Sequence, residues 1–229
     1  MNVKLLSYSQ PTAEFASIGI SDAQELIAYC ARVSNPSNQL NTDTSDKLIR
    51  YLVKHQHWSP LEMVSACMEI TTTRDIARQI LRHRSFSFQE FSQRYADPTK
   101  DLNFVHREAR KQDTKNRQNS IELDIKNNDA DRFLVYQWEQ MQQNVIEQSR
   151  NAYEWAVKQG IAKEQARAVL PEGLIESRLY MNGTLRSWIH FIELRSANGT
   201  QKEHQEVAIA CAGVISKIFP MANDLVSIA

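Results

Sequence analysis

The residues MVSACMEI (63–70) constrain the fold more than any other stretch of the chain. Val64, Ala66, Met68 and Ile70 alternate with Ser65, Cys67 and Glu69. That period of two predicts a strand with one buried face and one polar face. On both sides of it the apolar period lengthens to that of a helix. Leu26, Ile27, Cys30 and Val33 follow Ser21, a candidate N-cap, and Leu48, Ile49, Leu52 and Val53 mark a second short helix. A third helix is expected over 73–82. A strand that buries one face needs helices to cover it. The chain is therefore expected to be α+β, with an antiparallel or mixed sheet flanked by helices.

The C-terminal half supports the same class. A short helix in AKEQARAVL stops at Pro171, LIESRLYM (174–181) reads as a second strand, and helices are expected over 184–195 and 201–218. Residues 97–130 are the most polar part of the chain and are expected to run over the surface. Over 132–159, Leu134, Trp138, Met141, Val145, Ala152 and Trp155 fall near a 3.5-residue repeat. Such a stripe fits either a core contact or a contact with another subunit. With only 6 glycines and 6 prolines in 229 residues, no linker or boundary stands out, so 1–229 is expected to form a single domain.

Cys30, Cys67 and Cys211 are far apart and lack C-x-x-C spacing, so each is expected to be a small core residue. Residues 1–12 hold no apolar run of secretory length, and no stretch of about 18 apolar residues occurs. A cytoplasmic protein with no membrane contact is expected.

Charge carries the functional signal. Lys+Arg 27 balance Asp+Glu 27, which argues against a nucleic-acid polymer as partner. Yet RDIARQILRHRSFSFQEFSQRY (74–95) holds Arg74, Arg78, Arg82, Arg84 and Arg94 against only Asp75 and Glu90. Arg74, Arg78 and Arg82 are four apart and share a helix face, with Gln79 beside Arg82 and His83. A guanidinium offers a planar fork of donors matched to phosphate. The patch fits a nucleotide or dinucleotide; composition alone favours a solvated basic helix with a core-packing turn.

The order of residues is more specific. Arg82-His83-Arg84, then seven residues, then Ser92, is the RHR-x7-S signature, and the chain resembles the flavin-dependent thymidylate synthases. ARVS (31–34), HQHWSPLEM (55–63), ARAVLPEG (166–173) and LRSWIHFIELR (185–195) resemble further blocks of that family, in order. The resemblance implies reductive methylation of dUMP to dTMP, with methylenetetrahydrofolate as carbon donor and NADPH as hydride source through non-covalent FAD. It also implies a homotetramer with shared active sites. By position, Ser59, Arg82, His83, Arg84, Glu90, Arg186 and His190 resemble flavin contacts, with His57 close by. Gln79, Arg82, Glu90, Ser92, Gln93, Arg94, Arg167 and Arg195 resemble dUMP contacts. Arg195 matches the arginine that polarises the uracil, the one catalytic assignment.

Two departures stand out. Where the family has a histidine, glutamine and glutamate soon after the Arg195 position, this chain has SANGTQKEHQE (196–206), with His204 displaced. Thr184 stands where many members have asparagine. Two other clusters offer rival sites. His55, His57 and His83 lack a completing carboxylate or cysteine, so no metal is expected. His106 and REARKQDTKNR (107–117) lack an aromatic platform for RNA and read as a solvated face.

Overall fold

A computed structural model describes residues 1–222; residues 223–229, the end of the expected domain, lie outside the described residues. The strands are β1 (Asn2–Tyr8), β2 (Ser65–Thr73), β3 (Ser87–Glu90), β4 (Arg110–Gln112), β5 (Ser120–Glu122) and β6 (Glu176–Thr184). The helices are α1 (Ala13–Ser17), α2 (Ala23–Ala31), α3 (Ser45–Lys54), α4 (Arg74–Ile80), α5 (Pro98–Asp101), α6 (Asp129–Lys158), α7 (Lys163–Ala166), α8 (Leu185–Ser196) and α9 (Lys202–Ile218).

Four strands form one sheet in the order β1-β2-β6-β3, and every pairing in it is antiparallel. The two strands expected from the sequence are its centre, paired from Ser65↔Thr184 to Thr73↔Glu176. The alternation in β2 holds: Ala66, Met68 and Ile70 are buried, and Ser65, Cys67 and Glu69 are half-buried on the other face. Leu179 and Met181 of β6 join the same core. Helices α4, α8 and α9 cover that face with Ile76, Ile80, Trp188, Phe191, Val207 and Ile215. The indole of Trp188 is fully buried and donates to the Ala66 carbonyl at 3.0 Å, so its one polar atom is satisfied. Gly183 is required where Phe86 crosses β6, because a Cβ there would lie 2.4 Å from the ring.

Several expectations change. The edge strands β1 and β3 were not foreseen: β1 alternates only weakly, and β3 is a short polar SFQE segment. Asp22, not Ser21, caps α2 by accepting from the Glu25 amide at 2.8 Å, while the Ser21 hydroxyl donates to the Glu25 carboxylate at 2.7 Å. Cys211 is a core residue, but Cys30 and Cys67 are half-buried. Cys67 takes the polar face of β2 because its alternation with Ala66 and Met68 leaves no choice. The stripe of α6 is split. Ile146, Ser149, Tyr153 and Ala156 face the body of the protein, whereas Phe133, Leu134, Trp138, Met141, Val145 and Trp155 are exposed.

The largest correction concerns 97–130. Residues 103–105 pair with the chain entering β6, through Val105 N–H to the Leu174 carbonyl and Glu176 N–H to the Asn103 carbonyl. The start of the basic run after them, through Lys111, is anchored by acids, whereas Lys115 and Arg117 are exposed as expected. Arg107, whose side chain is only 15% exposed, donates to Asp75 at 2.6 Å, to Thr73 Oγ1 at 2.7 Å and to the Gly173 carbonyl at 2.9 Å. It also pairs with Glu203 at 3.4 Å. Its backbone exchanges hydrogen bonds with the Gln142 side chain of α6, and its carbonyl accepts from the Trp138 indole at 3.1 Å. Arg110 pairs with Glu203, and Lys111 with the buried Asp131 at 2.6 Å. The sequence reading failed here because the carboxylates that neutralise these cations are distant along the chain.

Removing one partner of a desolvated pair strands the other, which costs more than the pair itself contributes. Arg107→Met is expected to lower the unfolding free energy by roughly 2–4 kcal/mol, somewhat softened by the partial exposure of Asp75. Lys202, which reaches the exposed Glu108 and Glu122 at 2.9 and 2.6 Å, is the contrasting case. Lys202→Met should cost less than about 1 kcal/mol. Denaturant midpoints of the two variants, compared with wild type, check the difference.

Candidate functional site

The expected site residues fall into three groups. The first surrounds the end of α4. Arg82, His83 and Arg84 follow its last turn, and His83 Nε2 accepts from Arg195 Nε at 2.9 Å across to α8. The His83 ring meets the Phe191 edge with centroids 4.9 Å apart. Burial, and then the Arg195 charge, lower the His83 pKa to about 4. Burial, and then the Arg82 charge, also lower that of Arg195. Gln79 sits beside this group on α4 and turns toward α9, where it meets Gln201 and His204.

The second group lies on another side of α4. Arg78 and the buried Arg74 reach Glu90 at 3.9 and 3.5 Å, and the Ser177 hydroxyl donates to Glu90 at 2.8 Å. Gln93 is buried, and its Nε2 has no hydrogen-bond partner among the described residues. It opens, with Arg74, Arg78, Arg167 and Glu172, on a cavity of about 330 Å³. Nearby, Arg94 pairs with Glu164 at 3.3 Å, and Arg167 Nε donates to the Glu164 carbonyl. Ser92 is half-buried at the start of this turn.

The third group joins α8 to the turn at 59–62. Arg186 pairs with Glu62, His190 meets the Trp58 ring edge-on with centroids 4.4 Å apart, and Ser59 is exposed. His57 lies apart, against Tyr51. Among the described residues, no hydrogen bond or ion pair joins the three groups to one another.

Counting the partners of the arginines separates two kinds. Arg74, Arg78, Arg94 and Arg186 each have a carboxylate within 4.0 Å. Arg82, Arg84, Arg167 and Arg195 have none among the described residues, and Arg82 stands close enough to Arg195 to lower the Arg195 pKa. Like charges held together without an acid are unfavourable unless something anionic joins them. An anion placed there would be gripped by charge-assisted hydrogen bonds.

The thymidylate synthase complementing protein family matches residues 18–221. A probable flavin-dependent thymidylate synthase of Paramecium bursaria Chlorella virus 1 is 47% identical over 96% of both chains. A flavin-dependent thymidylate synthase of Synechocystis is equally similar, at 47% over 96% of each. The chain belongs to the flavin-dependent thymidylate synthase family. A member from Dictyostelium discoideum is 34% identical over 86% of this chain and 63% of that one. Among solved structures, a UMP/dUMP methylase from Streptomyces cacaoi, bound with 5-Br dUMP, superposes with a TM-score of 0.77. It covers 98% of this chain at 24% identity, a likeness of fold.

Within this family frame, the residues that the sequence assigned to flavin and nucleotide all stand at or near the surface of the three groups, except Gln93. Glu90 is held within the chain by Arg74 and Ser177. Two residues with no assigned role enter the first group. His204 is fully buried, and burial, followed by the Arg195 and His83 charges, lowers its pKa to about 3. Gln201 holds Gln79 at 2.9 Å. The displaced histidine in SANGTQKEHQE was the one visible sign of either. The ARVS block also proves to line a cavity of about 560 Å³, with Arg32, Ser34, Lys47 and Tyr51.

Both histidines are neutral in the folded chain at ordinary pH. An unfolded histidine takes up its proton near pH 6.5, so between there and about pH 4 the unfolded chain binds more protons than the folded one. The stability tied to these groups is fully present above pH 6.5 and declines as the pH falls toward 4. Denaturant midpoints are therefore expected to drop on acidification through this window. His204→Asn should make the dependence shallower by about one proton.

Proposed function

We propose that the chain methylates dUMP reductively to dTMP. Methylenetetrahydrofolate donates the carbon, and NADPH supplies the hydride by way of non-covalently bound FAD. The observation that carries this reading is the cluster around neutral His83, where Arg195 is held by the ring, Arg82 lowers the Arg195 pKa, and neither these two nor the adjoining Arg84 has a carboxylate partner among the described residues. Family membership and the UMP/dUMP methylase fold lead to the same chemistry.

The residues present fit such ligands. FAD carries a pyrophosphate and dUMP a phosphate, and both suit unpaired guanidinium groups better than a polymer would. Arg82, Arg84 and His83, with Ser59, Arg186, His190 and Glu90, would hold the flavin. When bound, the flavin supplies the hydride chemistry, and the protein supplies orientation. The unsatisfied Nε2 of buried Gln93, with Arg167, Ser92 and Arg94, is a donor set suited to a phosphate. Gln79, Arg82 and Arg195 would take the remainder of dUMP.

Arg195 has the central role. Its Nε is spent on His83, which leaves its terminal nitrogens for a ligand and fixes the plane of the guanidinium. Because His83 is neutral, it accepts this bond without opposing the charge. A cation so oriented, held against a pyrimidine carbonyl, stabilises negative charge that develops during carbon transfer. Partial burial strengthens the effect by excluding water.

The single chain, taken as one domain over 1–229, leaves the candidate dUMP residues in two separate groups. It also leaves a long apolar stripe on α6 uncovered, including Phe133 and Trp155 at 60% and 61% exposure. A homotetramer with shared sites accounts for both, since copies can cover the stripe and bring the two groups together. Among the described residues no helix is long and apolar enough to cross a membrane, in keeping with the proposed cytoplasmic location.

The test is dTMP formation from dUMP, methylenetetrahydrofolate and NADPH, with and without added FAD. Turnover that requires FAD is expected. Arg195→Ala should keep the flavin absorption spectrum and lose about a hundredfold or more of the turnover. Near-normal turnover in that variant would remove Arg195 from the mechanism, and no dTMP from the FAD-loaded wild type would end the proposal.

A further inference from the structure

The carboxamide of Gln79 is held at both ends by α9. Its Nε2 donates to Gln201 Oε1 at 2.9 Å, and its Oε1 lies 3.3 Å from His204 Nδ1. An amide can be turned over at little steric cost, so its direction has to be fixed by its partners. Here the direction can be followed from one charged group. Glu203 is clamped by Arg107 at 3.4 Å and by Arg110, and burial does not keep its pKa from falling below the ordinary value. An ionised carboxylate only accepts. Gln201 Nε2 must therefore donate to Glu203 Oε2, at 2.9 Å, and Gln201 Oε1 must face Gln79. That oxygen can be met only by the Gln79 N–H, which turns the Gln79 oxygen toward His204. His204 must then carry its proton on Nδ1. Its Nε2 is left bare, buried and without a partner among the described residues.

We propose that Glu203, Gln201 and His204 are positioning residues that lock the Gln79 carboxamide in one orientation toward the nucleotide. Each end of the amide is used once, so one N–H and one oxygen lone pair remain to face a ligand in a fixed order. The lock originates in the 97–130 segment, because Arg107 and Arg110 set the charge and place of Glu203. His204 is suited to its part because it is neutral: a protonated ring would place a third cation beside Arg82 and Arg195. The inference rests on the reading that Gln79 contacts dUMP.

Kinetics on the FAD-loaded protein separate the two. Gln79→Ala should raise the KM for dUMP, and an unchanged KM would overturn both the contact and the lock. Given that contact, His204→Leu, which keeps bulk but removes the donor, should raise the KM about tenfold while kcat at saturating dUMP stays within about threefold. His204→Asn, whose side-chain N–H can replace Nδ1–H, should restore most of the loss. Gln201→Leu replaces an exposed side chain, keeps the fold intact, and should raise the KM in the same way. In the double variant Gln79→Ala, His204→Leu, the KM should be no higher than in Gln79→Ala alone. Multiplying losses in the double variant, or equal impairment in His204→Asn and His204→Leu, would overturn the proposal. An unchanged dUMP KM in Gln201→Leu would do so as well.

Discussion

The guanidinium of Arg107 bonds Thr73 and Asp75 at the start of α4, Glu203 at the start of α9, and the Gly173 carbonyl ahead of β6. Its backbone holds α6 through Gln142. Two of these elements, α4 and α9, carry candidate site residues, and β6 is the central strand between β2 and β3. Apolar packing under the sheet sets where α4, α8 and α9 lie. It is nondirectional and does not choose which way a polar side chain at their ends will turn. Directed bonds from a nearly buried cation do that, and a polar segment that reads as a surface excursion supplies it.

The same distinction organises the charges. Arginines that brace the fold have a carboxylate: Arg107 with Asp75, Arg110 with Glu203, Arg74 with Glu90 and Glu172. Those beside the RHR motif do not. A small cluster of cations near His83 is thus left without a carboxylate partner among the described residues. On the proposed reading, the flavin and nucleotide phosphates complete that balance. The low pKa of His83, near 4, follows first from burial and then from the Arg195 charge beside it. It keeps the imidazole an acceptor for Arg195, not another cation beside it.

Much of this was legible in the sequence because it is local. The period of two in 63–70 located the buried face of β2, and the RHR-x7-S spacing located the basic cluster at the end of α4. Pro171 marked a real end, since the helical segment before it stops at Val169. What was not legible is non-local. Nothing near Arg107 in sequence indicates that Asp75 and Glu203 will neutralise it, so it read as solvated. Gln79 and His204 are 125 positions apart, and only the packing of α4 on α9 makes them neighbours. The exposed half of α6 obeys the same rule: its repeat was visible, but whether its apolar residues faced the core could not be read from spacing.

On the proposed function, one chain carries both halves of a nucleotide site without joining them, and copies of the chain complete each other. Arg195 belongs to the half near His83, and Arg167 to the half near Gln93. The most direct measurement is dTMP formation after Arg167→Ala and Arg195→Ala proteins are dissociated, mixed and reassembled. Each variant alone should be nearly inactive. If the halves come from different subunits, mixed oligomers contain some sites with both arginines native, and activity should return. Mixed oligomers that form but remain as inactive as either parent would contradict the claim, since both arginines would then serve a site from the same chain.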